Sequence, residues 1–167
     1  MPNNKPGSSI YIERANLRRG DMLSRSISLE RAIDQYIADY FVERSDKRNL
    51  ELMALILSAP ERMGFEGKRQ VALWIAQNND QGLIKDYPKM FGEIQKLIRF
   101  RNKMAHSILA FEGFHKKNEN QITTLTIYKN KVEQFDLSEK ECEKWGDIAS
   151  KYTAVFLYTS GYQGDPI

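Results

Sequence analysis

Apolar residues recur every three or four positions through most of the chain, which is the repeat of an amphipathic helix. The longest stripe is Leu29, Ile33, Tyr36, Ile37, Tyr40 and Phe41, and it predicts a first helix over residues 21–43. Ser24, Ser26 and Ser28 all offer caps at its start. An extension back through Gly20 toward Tyr11 would place Arg14, Arg18 and Arg25 along one edge, read as a solvated face. A second helix is expected over 50–58, stopped by Pro60. A third spans 65–77 with Val71, Leu73, Trp74 and Ile75 inside, and Trp74 and Trp145 read as core. Asn78, Asn79, Asp80 and Gly82 mark the turn after it. A fourth begins near Pro88, a residue suited to a first helical turn, and continues through Ile94, Leu97 and Ile98 to about 108.

The pattern changes over 121–137. ITTLTIY and KVEQFDL are rich in β-branched and aromatic residues, and the Lys129-Asn130 step separates them, which is a β-hairpin signal. The turn has no glycine, so its register stays open. Tyr128 and Phe135 are read as packing on the helices, with base stacking as the functional counterpart. Ser138 and Glu141 form a capping-box pattern that opens a last helix to about 160, burying Trp145, Ile148, Ala149, Tyr152, Val155 and Phe156. Residues 1–10 read as a disordered lead-in and 161–167 as a flexible tail. The fold expected is mainly α: one domain over 11–160, an up-and-down bundle of four to five helices with a small hairpin before the last.

Composition narrows the chemistry more than the fold. The 167 residues fit one domain. Twenty-five Lys and Arg against 22 Asp and Glu leave +3, too little to argue for nucleic acid by itself. One cysteine, Cys142, excludes an internal disulfide, a Cys-based structural zinc and a CxxC centre. Two histidines exclude a three-His zinc, so no metal and no cofactor is expected, and imidazole chemistry runs through His106 or His115. A polar N-terminus, no apolar run near the ~20 residues of a bilayer span and an unpaired cysteine fit a cytoplasmic chain without a membrane partner. Residues 64–68 fail as a phosphate loop, because the spacing is short and Arg69 stands where Ser or Thr is needed. His115 lies in a polar loop where Lys116 and Lys117 are placed to meet a phosphate backbone.

The segment IRFRNKMAHS, residues 98–107, carries the most chemistry. At ~100° per residue, Arg101 falls about 20° from Ile94, inside the apolar stripe. A guanidinium keeps its proton and is costly to bury alone. Arg101 therefore needs an internal carboxylate such as Glu30 or Asp34, a second subunit, or an anionic ligand. Asn102 and His106 lie one turn apart on the adjoining edge. The plain structural reading of His106 is a cap or core imidazole near a helix C-terminus, where a cation is favoured.

The string Arg101-Asn102-Lys103-Met104-Ala105-His106 resembles the R-x(4–6)-H motif of HEPN domains, small helical bundles of prokaryotic toxins, defence systems and RNA-cleaving enzymes. The order of elements is similar over about 20–160: a long helix with SISLERAIDQYIADYF, a middle helix with FEGKRQVALWI, the motif helix and a closing helix. The hairpin departs from the plain bundle. The resemblance implies a HEPN-like fold and a homodimer whose two motifs face each other. It implies metal-independent RNA cleavage by 2′-hydroxyl attack, leaving 2′,3′-cyclic phosphate ends, in a toxin or defence effector with an antitoxin protein as partner. Arg101, Asn102 and His106 carry over as the catalytic positions; the basic residues near them in the chain, Arg99, Lys103, Lys116 and Lys117, are read separately as substrate contacts. The other reading is a non-catalytic dimeric HEPN module that binds RNA, a nucleotide or a protein.

Overall fold

A computed structural model describes residues 6–43, 46–59, 61–109, 121–128 and 131–160. The chain is mainly helical. Helix α1 runs Pro6–Phe41, α2 Lys47–Ser58, α3 Phe65–Asn79, α4 Gln81–Asp86, α5 Met90–Ala105 and α6 Glu139–Thr159. Strands β1 (Ser107–Leu109), β2 (Gln121–Tyr128) and β3 (Lys131–Ser138) form an antiparallel sheet in the order β1-β2-β3, with Tyr128 opposite Lys131 and Ser107 opposite Thr126.

Helix α1 is the spine, and α6 packs along it more extensively than any other element. Its 36 residues correspond to ~54 Å at ~1.5 Å per residue. It begins at Pro6, so residues 6–10 belong to the helix rather than to the lead-in expected over 1–10. The helix also passes through Gly20 without a break. A helical glycine costs ~1 kcal/mol, which burial of Met22, Ser26 and Leu29 just beyond it offsets. Met22, Leu29, Ile33 and Ile37 are buried, and Ser26 fits the same stripe because its hydroxyl donates to the Met22 carbonyl at 2.9 Å. The C-terminal end of the stripe differs from expectation: Tyr40 and Phe41 are exposed rather than buried.

The core gathers α1, α3, α5 and α6 around Ile94, Leu97, Met104, Ala149, Tyr152 and Phe156. Phe156 meets the rings of Tyr36 at 5.3 Å and Phe91 at 6.2 Å, both inclined rather than stacked. Ser138 caps α6, its hydroxyl oxygen accepting from the Glu141 N–H at 3.2 Å. Arg18 and Arg25, expected on a solvated face, turn toward α6: Arg18 pairs with Glu139 at 2.7 Å, and Arg25 reaches Asp21 and Asp147 at 3.1 and 3.5 Å. Helix α5 starts at Met90, after a turn at Pro88, and stops at Ala105 rather than near 108. No helix among the described residues is long and apolar enough to cross a membrane.

Candidate functional site

The end of α5 positions the motif. Phe100 and Met104 are buried beside it and fix the roll of the last turn. Arg101 is half-buried, whereas Asn102 and His106 are exposed. His106 is the C-cap, and its backbone N–H returns to the Asn102 carbonyl at 3.1 Å. One turn of backbone therefore separates the two side chains. Arg101 donates through Nη1 to Asn102 Oδ1 at 3.1 Å, which links the buried cation to the exposed amide. Its Nε is buried and has no hydrogen-bond partner among the described residues.

A second helix braces this end. Arg19 of α1 donates through Nη2 to the Ala105 carbonyl at 2.8 Å. Carbonyls of a helix's last turn lack intrahelical donors, and the dipole there favours a cation. Arg19 thus satisfies one of them and fixes the backbone immediately before His106. Sequence reasoning missed it, since no local signal couples positions 86 residues apart.

Glu30 and Asp34 do not serve Arg101. Lys68, 3% exposed, reaches between them from α3, with Nζ at 2.8 Å from Glu30 Oε1 and 2.9 Å from Asp34 Oδ2. The internal-carboxylate reading of Arg101 is corrected on this point: a lysine on another helix takes both acids. Asp34 Oδ1 is left buried without a partner among the described residues. Burial pushes the Asp34 carboxyl up to about 6, although the Lys68 ammonium works against the shift. Next to Lys68, Arg69 holds Glu66 through two bonds at 2.9 and 2.6 Å and draws that carboxyl below its usual range.

Arg99 and Lys103 are exposed on α5, flanking the motif. Lys116 and Lys117, like His115, lie outside the described residues. Cys142 is buried against α1, and burial raises its thiol to about 11, so it is a poor thiolate. Among the described residues, no group of three His, Cys, Asp or Glu side chains is placed to hold a metal ion.

The geometry defines a mainly helical protein with a cation, an amide and an imidazole gathered at one helix terminus. No protein-family model, curated protein or solved structure matches the chain.

Proposed function

We propose that the chain is a metal-independent endoribonuclease of HEPN type, acting as a homodimer, with Arg101, Asn102 and His106 of each copy in a shared cleft. What supports the reading most is the state of Arg101: a half-buried guanidinium at the end of α5 with an unpartnered buried Nε, tied to an exposed Asn102 rather than to a carboxylate. A permanent cation without a counter-charge among the described residues suits a site for a phosphate or for a partner's surface. His106 stands exposed at the same terminus, where an imidazole can exchange a proton with a substrate hydroxyl.

In this reading the 2′-hydroxyl gives its proton to the imidazole of one His106. Its oxygen then bonds to the adjacent phosphorus. The bond from phosphorus to the 5′-oxygen breaks, and that oxygen takes a proton from the second copy's imidazolium. The products are a 2′,3′-cyclic phosphate and a 5′-hydroxyl. Arg101 neutralises charge on the non-bridging oxygens, and Asn102 holds the guanidinium in place. One motif histidine per chain explains the need for two copies. A toxin or defence role in the cytoplasm, with an antitoxin protein as partner, belongs to the same proposal.

The test is cleavage of a panel of RNAs in EDTA, with end-group analysis. The wild type should leave cyclic-phosphate ends, and Arg101→Ala and His106→Ala should each lower the rate by ~10²–10⁴. Equal inertness of all three on every RNA, or cleavage that both variants retain, overturns the reading.

A further inference from the structure

Three aromatic rings stand in solvent where α1 ends against α3. Phe41 is 54% exposed, Trp74 52% and Tyr40 39%, although all three belong to stripes that sequence reading places in the core. Tyr40 lies edge-on to both neighbours, 4.9 Å from Phe41 and 6.4 Å from Trp74. An open cleft of about 620 Å³ adjoins them, with Phe41, Met63, Val71 and Trp74 as apolar lining and Arg62 and Gln70 as its polar groups. This is the size range of small-ligand sites, and its make-up of apolar walls with a few polar groups matches theirs.

We propose that this cleft binds a nucleotide unit, the base against the Trp74 and Phe41 rings and the phosphate on Arg62. Arg62 makes no ion pair among the described residues, and its one hydrogen bond is a 3.5 Å reach to the Leu55 carbonyl. Gln70 makes one bond, at 3.3 Å to Glu66, which leaves its amide oxygen to meet a base edge. Two acids are near in the chain: Glu66, which Arg69 already neutralises, and Glu61, which is exposed and forms no ion pair with Arg62 among the described residues. A purely apolar occupant would leave the charge of Arg62 and the amide of Gln70 unmatched. A nucleotide meets every surface present: a π-face for the rings, polar edges for the amide and an anion for the guanidinium. The site stands apart from the motif and does not depend on the ribonuclease reading.

The chemistry comes from a free nucleotide or from a unit of single-stranded RNA, and one experiment separates them. Trp74 is made the sole tryptophan by Trp145→Phe, with folding checked by circular dichroism. Its fluorescence is followed while adenosine monophosphate, an oligoadenylate and an abasic ribose-phosphate strand of equal length are added. Both adenine ligands should quench Trp74, and the abasic strand should not. Phe41→Ala and Arg62→Ala should each weaken binding by about tenfold, the lower part of the range for a lost stacking or charge-assisted contact. A strand that binds at least about tenfold tighter than the monophosphate, beyond what repeated units supply statistically, identifies RNA as the source. Equal affinity identifies the free nucleotide. Absence of quenching, quenching by the abasic strand, or affinities unchanged in both alanine variants overturns the proposal. So does quenching by an apolar peptide that outcompetes adenine.

Discussion

Replacing Lys68 by Met tests what joins α3 to α1. Methionine keeps the length and the apolar stem but removes the ammonium that sits 2.8 and 2.9 Å from two carboxylates. Glu30 and Asp34 would then face each other one helical turn apart without a counter-ion. Breaking a buried ion pair costs about 3–5 kcal/mol. Here both acids keep about a fifth of their side-chain surface in water, 21% and 22%, so the expected loss at pH 7 is ~2–4 kcal/mol. At ~2–4 °C per kcal/mol for a chain of this length, Tm should fall by about 4–16 °C. Urea unfolding at pH 7 and pH 4.5 is the assay. The gap between wild type and variant should shrink at pH 4.5, because a protonated Asp34 no longer needs the lysine. A loss below about 1 kcal/mol at pH 7, or a gap that widens in acid, would refute the reasoning.

Three further outcomes are expected. In the folded chain burial lifts Asp34 to about 6, from ~3.9 unfolded, so its protonated form is favoured by folding. That contribution is complete below about pH 4 and lost as pH rises through about 6, so Asp34→Asn should stabilise the protein by ~1–2 kcal/mol at pH 7 and far less at pH 4.5, measured by urea midpoints. Tyr152→Phe removes the hydroxyl that donates to Glu93 across α5 and α6, and should cost ~1–2 kcal/mol by the same assay. Gly20→Ala, at an exposed site in α1 where the new methyl meets nothing within 4 Å beyond its own stretch of helix, should raise stability by ~0.5–1 kcal/mol, whereas Gly146→Ala should gain less because its methyl would lie 3.2 Å from Arg25 Cδ.

The sequence by itself determined where most helices lie and which residue opens the last. Leu29, Ile33 and Ile37 of α1, Ile94, Leu97 and Ile98 of α5, and Ala149, Tyr152 and Phe156 of α6 are buried as their spacing requires. Ser138 caps α6 because a hydroxyl before a free N–H is a local interaction. It also showed that Arg101 sits inside an apolar stripe, with Asn102 and His106 one turn apart on the adjoining edge. Tertiary structure decided the roll of α3. Its inner face is Phe65, Lys68, Arg69, Ala72, Ile75 and Ala76, and this phase turns Trp74 outward. Hydrophobicity counts alone favour Trp74 inside over Lys68, but they contain no information about two carboxylates on α1 waiting for a cation. The same carboxylates go to Lys68 and not to Arg101, and Arg19 reaches the Ala105 carbonyl from far along the chain. Periodicity reports which residues share a face of one helix; which charges meet across helices depends on crossing and roll, and those are set only when all the helices pack together.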